Sequence, residues 1–269
     1  MAGSDSATPA ARPDLLSRLV AEAEAEVARR RASQPEAVLS AMAAAQPPAL
    51  DLADQLRGER LAVIAECKAR TPVLGVLAAD YQPGRLAAAY QAAGAAAISV
   101  LCQETSFGGS PEHLAEVRRE VTVPVLRKDF IVSEYQLLEA RAYQADAVLL
   151  IAAALPTPRL AELLVASWRL GLQAMVEVHS EAEMETALAA GARMVGVNHR
   201  DLTTFRVDLG LSERLRPLVP DWVVFVAESG IHDAAAARRV RDAGADAILV
   251  GEALMRAADP AAKLRELSV

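Results

Sequence analysis

Eight short apolar runs alternate with eight helical patterns, and this repetition constrains the fold more than any other feature of the chain. The runs cover residues 61–68, 96–101, 123–128, 147–151, 174–178, 194–198, 223–227 and 247–250. The last helical pattern is predicted to extend without interruption over residues 253–267. They are apolar nearly throughout, as expected of parallel strands covered on both faces. No Gly-x-Gly-x-x-Gly motif follows the first run, which disfavours a dinucleotide-binding open sheet. We therefore predict an α/β protein that closes into a (β/α)8 barrel.

The residues ahead of the first strand carry helical patterns and no strand of their own. Residues 14–31 are rich in Ala, Glu, Leu and Arg, and shorter helical patterns begin near Pro35 and Leu50. We predict a disordered N-terminus over residues 1–12, a helical extension packed on the barrel over 13–58, and a catalytic barrel over 59–269. A chain of 269 residues with 53% hydrophobic residues is long enough for the single large core of a TIM barrel.

Charge, hydropathy and cysteine placement narrow the class of partner. The net charge of −7 argues against nucleic acid, and no apolar run is long enough to span a membrane. The N-terminus has no apolar core of a secretory signal. Cys67 and Cys102 lie inside apolar runs, which favours reduced, packed thiols over metal ligands or a catalytic thiol. We expect a cytoplasmic protein that acts on a small molecule, as a monomer or weak homo-oligomer.

Charged residues close the first and third strand-like runs. Lys128 ends the third run, and Glu66 and Lys68 end the first. A lysine at the carboxyl end of a barrel strand is a candidate for acid–base chemistry. Because side chains alternate along a strand, Glu66 and Lys68 lie on the side of Ile64, and an inward Ile64 would bring both to the barrel mouth. The plainer alternatives are strands that stop at the surface and an exposed rim ion pair.

Two more strand-like runs end in polar side chains that a closed barrel would gather around Lys128. Glu177 ends the fifth run, and Asn198 ends the sixth. Active sites of these barrels lie at the carboxyl ends of the strands. The alternative for Glu177 is a buried acid that accepts a hydrogen bond from a backbone donor.

Glycines follow the last two strand-like runs. Ser229 and Gly230 follow the seventh, and Gly251 and Glu252 follow the eighth and open a helix. Glycine lets backbone N–H groups approach a ligand, and these loops are the usual phosphate site of barrels. Each glycine alone could belong to a plain turn. Their joint placement favours phosphate binding.

Six motifs, in order along the chain, resemble the indole-3-glycerol phosphate synthase family. The match extends from about Leu61 to Met255, and the helical extension is similar to the one that this family carries. The motifs are Ile64-Ala65-Glu66-Cys67-Lys68, Leu126-Arg127-Lys128-Asp129-Phe130-Ile131, Met175-Val176-Glu177-Val178, Gly196-Val197-Asn198-His199-Arg200-Asp201-Leu202, Ala227-Glu228-Ser229-Gly230-Ile231 and Val250-Gly251-Glu252-Ala253-Leu254-Met255.

The resemblance implies an enzyme of tryptophan biosynthesis, a carboxy-lyase that closes the indole ring of 1-(2-carboxyphenylamino)-1-deoxyribulose 5-phosphate and releases carbon dioxide and water. It implies Lys128 as general acid on the substrate carbonyl and Glu177 as an assisting acid–base group. Lys68 would hold the anionic substrate and take part in dehydration. Glu66 and Asn198 would position the hydroxyl and aryl-amine groups.

The resemblance also implies the residues that bind the rest of the substrate, with no metal and no cofactor. Phe107 would pack on the aromatic ring. Arg200, Glu228 and Thr71 would line the substrate site. The phosphate would be surrounded by Lys68, Ser229, Gly230, Gly251 and Glu252.

The chain departs from the family pattern after its first two strands. It has Thr71-Pro72-Val73 where the family usually has Ser-Pro-Ser, and Cys102-Gln103 where the family has Thr followed by Asp or Glu. These changes bear on loop closure and catalytic efficiency rather than on fold. Two alternatives stay open: a catalytically weak paralogue that acts as a binding or assembly protein, and another phosphate-binding barrel such as an isomerase or epimerase.

Overall fold

The computed structural model describes residues 15–71, 75–77, 80–201 and 204–269. Its strands are β1 (Ala62–Cys67), β2 (Arg70–Thr71), β3 (Gly75–Val76), β4 (Ala97–Leu101), β5 (Val125–Lys128), β6 (Ala147–Ile151), β7 (Gln173–Val178), β8 (Met194–Asn198), β9 (Val224–Glu228) and β10 (Ala247–Val250). Eight of them form a closed parallel barrel in the order β1-β10-β9-β8-β7-β6-β5-β4. Since β1 pairs with both β10 and β4, the predicted (β/α)8 barrel is confirmed. The antiparallel β2–β3 hairpin was not predicted.

Helices cover the outside of the barrel and form the N-terminal extension. They are α1 (Leu15–Ser33), α2 (Glu36–Ala44), α3 (Leu52–Leu56), α4 (Pro83–Ala92), α5 (Glu112–Glu120), α6 (Glu134–Ala142), α7 (Thr157–Arg169), α8 (Glu181–Ala189), α9 (Gly210–Leu215), α10 (Ala234–Asp242), α11 (Glu252–Met255) and α12 (Pro260–Leu267). The expectation of one helix over 253–267 is wrong. Pro260 lacks a backbone N–H donor and instead begins a new helix, which Asp259 caps by accepting a hydrogen bond from Ala262 N at 2.9 Å.

The barrel interior is filled by one set of side chains from alternating positions of the strands. Ile64, Leu126, Met175 and Val226 all belong to this buried interior cluster. Intervening residues such as Cys67 pack outward, between the strands and the helices. Ile64 is therefore inward, which was the condition for placing an acid and a lysine of β1 at the barrel mouth.

Both cysteines behave as packed apolar side chains. Cys67 and Cys102 are buried and form no disulfide. Burial raises the pKa of each thiol, so neither is poised as a thiolate nucleophile.

The helical extension reaches both ends of the barrel. Leu52 and Leu56 of α3 join the interior cluster and close the end where the strands begin. Leu15 and Leu19 of α1 border a cavity at the opposite end. The predicted disordered residues 1–12 lie outside the described part of the chain. Within the described ranges, no helix is long and apolar enough to cross a membrane.

Candidate active site

A cavity of about 460 Å³ opens at the carboxyl ends of the barrel strands. Every site residue predicted from the sequence lines it, although the strands that carry them are far apart in the chain. These residues are Glu66, Lys68, Thr71, Phe107, Lys128, Glu177, Asn198, Arg200, Glu228, Ser229, Gly230, Gly251 and Glu252. The barrel topology brings them together because parallel strands place all of their carboxyl ends at one face.

Lys128 lies between two buried carboxylates. Its Nζ is 2.7 Å from Glu177 Oε2 and 3.4 Å from Glu228 Oε2. Burial alone would lower the pKa of the Lys128 ammonium. The charges of Glu177 and Glu228 outweigh burial and raise this pKa above its usual value, so the lysine stays protonated and can donate.

Three side chains lie against the carboxylate of Glu177. It accepts from Lys128, and its Oε1 accepts from Asn198 Nδ2 at 3.2 Å. His179 Nε2 lies 3.4 Å from the same Oε1, while His179 Nδ1 is 3.3 Å from Glu183 Oε2. Burial raises the pKa of Glu177, but Lys128 and His179 outweigh burial and lower this pKa. Glu177 is therefore bound by side chains, whereas the alternative prediction from the sequence was a hydrogen bond from a backbone donor.

Glu228 has fewer hydrogen-bond partners than Glu177. Its Oε1 is buried and has no hydrogen-bond partner among the described residues. Burial raises the pKa of Glu228 to about 7; Lys128 opposes this shift, and the nearby Glu177 adds to it. A carboxyl group poised near neutral pH can give or take a proton during a reaction.

Glu66 and Lys68 form a second ion pair at the barrel mouth. Lys68 Nζ donates to Glu66 Oε1, and Glu66 is only 4% exposed. The pair is therefore largely buried, and the alternative prediction of an exposed ion pair on the rim is wrong. Gly251 makes room for it, because a Cβ at that position would lie 2.3 Å from Glu66 Oε1. Gly196 does the same for Glu228, whose Oε1 lies 2.2 Å from the position of a Cβ.

One wall of the cavity is apolar and aromatic. The rings of Phe107 and Phe130 are 6.3 Å apart and tilted by 34°. Leu15 and Leu19 of α1 line the same cavity. Such a surface suits a flat apolar ring. Phe107 was predicted from the sequence, whereas Phe130, Leu15 and Leu19 were not, although Leu15 and Leu19 lie one turn apart on the same face of α1.

Polar groups on the opposite wall come from the loops that follow β8, β9 and β10. Arg200 Nη2 lies 3.6 Å from Glu252 Oε2, and the Arg200 backbone N–H donates to Asn198 Oδ1 at 3.1 Å. Ser229 and Gly230 have positive φ angles of 65° and 79°, which turn the chain sharply after β9. The concave loop after β9 and the first turn of α11 thus face the same end of the cavity.

The departures from the family pattern fall in two places. Thr71 lines the cavity, whereas Pro72 and Val73 lie outside the described residues. Cys102 and Gln103 are fully buried and do not line the cavity. The second departure therefore acts on the packing of the loop after β4, and not on a direct contact in the cavity.

The fold and the site are those of a (β/α)8-barrel enzyme with lysine–carboxylate pairs at its catalytic face. Solved structures with this fold include N-acetylmannosamine-6-phosphate 2-epimerase from Clostridium perfringens, with a TM-score of 0.61 and 19% identity over 78% of this chain and 93% of that chain. Thiamine phosphate pyrophosphorylase from Pyrococcus furiosus has a TM-score of 0.58 and 24% identity, over 81% and 96% of the two chains. At these identities the likeness concerns the fold alone.

Sequence relatives identify the family. The indole-3-glycerol phosphate synthase family model matches residues 16–267. Indole-3-glycerol phosphate synthase 2 of Streptomyces coelicolor is 55% identical over 94% of this chain and 98% of its own length. The synthase of Dehalococcoides mccartyi is 44% identical over 94% and 99%, and that of Rhodococcus jostii is 48% identical over 90% of each. The chain belongs to the indole-3-glycerol phosphate synthase family.

Proposed function

We propose that this protein converts 1-(2-carboxyphenylamino)-1-deoxyribulose 5-phosphate to indole-3-glycerol phosphate, with loss of carbon dioxide and water. The observation that carries the proposal is Lys128, a largely buried ammonium held at 2.7 Å from Glu177 within a cavity that also has an aromatic wall. Ring closure places negative charge on the substrate carbonyl oxygen, and a positioned ammonium can protonate that oxygen as the charge develops.

The remaining steps involve Glu177 and the ion pair of Lys68 with Glu66. In our proposal Glu177 accepts and returns protons beside Lys128, while Asn198 keeps it oriented through the 3.2 Å hydrogen bond. Lys68, held by Glu66, contacts the anionic groups of the substrate and assists the loss of water. Glu228 and Arg200 line the polyol end of the cavity, with Thr71 at its rim.

The two ends of the cavity match the two ends of this substrate. The aryl ring would lie against Phe107, and the phosphate would lie at Ser229, Gly230, Gly251 and Glu252, within reach of Lys68. The Glu252 carboxylate would repel a phosphate, so in our proposal only its backbone N–H serves the phosphate. Its side chain is instead drawn towards Arg200 at 3.6 Å. An aromatic wall is the feature that favours this substrate over the sugar phosphates of an isomerase or epimerase.

Turnover of the purified protein tests the proposal. The indole product is fluorescent, and its formation should be inhibited competitively by inorganic phosphate. Glu177→Gln should reduce kcat more than it raises KM, because it removes proton transfer but keeps the side-chain volume. Absence of product at high enzyme concentration would instead favour the binding or assembly protein.

A further inference from the structure

A buried polar network joins α1 to the loop between β4 and α5, behind the aromatic wall. Glu26 of α1 is 2% exposed and Gln103 is fully buried. Glu26 Oε1 accepts from Gln103 Nε2 at 2.9 Å, from Thr105 N at 2.9 Å and from Thr105 Oγ1 at 2.6 Å. One turn earlier in α1, Glu22 Oε2 accepts from Ser106 Oγ at 2.7 Å. Two acidic side chains of the extension thus bind consecutive residues of one loop.

Gln103 connects this network to the aromatic wall. Its Nε2 donates to Glu26 and, at 3.2 Å, to Glu22. Its Oε1 accepts from the backbone N–H groups of Ser106 at 2.8 Å and Phe107 at 3.1 Å. The amide therefore uses its donor towards α1 and its acceptor towards the residue that faces the cavity. A glutamate at this position would keep the acceptor and lose the donor.

The same face of α1 reaches both the network and the cavity. Leu15, Leu19, Glu22 and Glu26 are spaced by four, three and four residues, which places them along one side of a helix. Leu15 and Leu19 line the cavity together with Phe107. The loop that carries Phe107 is anchored to Glu22 and Glu26 on this face. The anchoring therefore sets the distance between Phe107 and the two leucines.

We propose that Gln103 and Glu26 are positioning residues that hold Phe107 against α1 and so shape the pocket for the aromatic ring of the substrate. This inference rests on the proposed function for the identity of the ring. It assigns a role in substrate binding to a residue that does not line the cavity. The neutral amide of the buried Gln103 can donate to the carboxylates of Glu22 and Glu26, whereas a third carboxylate at this position would be repelled by them.

Steady-state kinetics of Gln103→Glu test the inference. The variant loses the donor to Glu26 and adds a buried negative charge, so KM should rise by about tenfold. The kcat value should stay within about twofold, because Lys128 and Glu177 lie on other strands. Glu24→Gln is the matched control, since Glu24 is an exposed acid on the same helix; its KM should be unchanged.

Two double variants separate positioning of the ring from general damage. Adding Glu26→Gln to Gln103→Glu restores a donor–acceptor pair, and KM should fall at least about threefold below that of Gln103→Glu. Full recovery is not expected, because Glu22 still faces the new carboxylate. In a Phe107→Ala background Gln103→Glu should raise KM no further, because no ring remains to be placed. An equal rise in both backgrounds, or a loss of kcat with KM unchanged, would overturn the inference.

Amide hydrogen exchange gives a readout that does not depend on turnover. Exchange at Thr105, Ser106 and Phe107 should be faster in Gln103→Glu and should slow again in the double variant with Glu26→Gln. Unchanged exchange would overturn the inference even in an active enzyme. If the wild-type protein forms no product but exchange follows this pattern, the proposed function fails and the anchoring of the loop stands.

Discussion

Replacing Lys128 with methionine should make the stability of the protein depend on pH in a defined direction. The substitution keeps most of the length of the side chain but removes the cation that lies 2.7 Å from Glu177 and 3.4 Å from Glu228. Removing one partner of a buried ion pair costs about 3–5 kcal/mol when the remaining charge cannot be neutralised. For a chain of this size that corresponds to a Tm lower by about 6–20 °C.

The sign of the pH dependence follows from the two carboxyl groups. In the wild-type protein the pKa of Glu177 is lowered, so its pairing contributes stability above the ordinary glutamate pKa, and this is lost as the pH falls through the lowered value. Without Lys128 the pKa values of Glu177 and Glu228 should both rise, and the variant should lose stability as the pH increases above about 4.5. The deficit should be about 1–2 kcal/mol at pH 5 and reach its full size at pH 8.

Urea unfolding at the two pH values measures this difference, and turnover is measured on the same preparations. We expect Lys128→Met to lose at least about 10²-fold in kcat. Lys263→Met serves as the control, because Lys263 pairs with Glu266 at the surface and its loss should cost less than about 1 kcal/mol at either pH. An equal deficit at pH 5 and pH 8, or turnover above about a tenth of the wild-type value, would refute the reasoning.

Three further substitutions probe other parts of the site. Gly251→Ala should reduce kcat/KM by at least about tenfold, since its Cβ would lie 2.3 Å from Glu66 Oε1; unchanged kinetics would contradict this. Val73→Ser, outside the described residues, should raise kcat/KM by about two- to twelvefold by restoring a hydroxyl, whereas a lower Tm without a kinetic gain would indicate that Val73 packs on the barrel. His179→Asn should cost more stability at pH 5.5 than at pH 8.5. Burial lowers the pKa of His179, but Glu183 and Glu177 outweigh burial and raise this pKa, so the stability that the charged imidazole contributes is lost as the pH rises. Melting curves at both pH values measure the difference.

The residues at the strand ends could be predicted from the sequence because two general rules apply to them. Side-chain alternation placed Glu66 and Lys68 with Ile64, and the barrel rule brought Lys128, Glu177 and Asn198 to the same face. The structure confirms the barrel and the inward Ile64. The roles of these residues in the reaction remain predictions.

Other parts of the site depend on contacts that no local pattern encodes. Glu26 and Gln103 are 77 residues apart, and nothing in either segment indicates the other. The Cys102-Gln103 departure therefore suggested altered efficiency but not its packing against α1. Likewise, Pro260 was read as part of a continuous helix, although its missing N–H favours a helix start.

The most direct test of the central claim uses substrate labelled with ¹³C in its carboxylate. If the lysine–carboxylate cavity closes the indole ring, the wild-type protein should release one ¹³CO₂ for each indole-3-glycerol phosphate formed, and Lys128→Met should form both at least about 10²-fold more slowly. Binding of the substrate without release of ¹³CO₂, or release that is equal in the wild-type protein and Lys128→Met, would contradict the account.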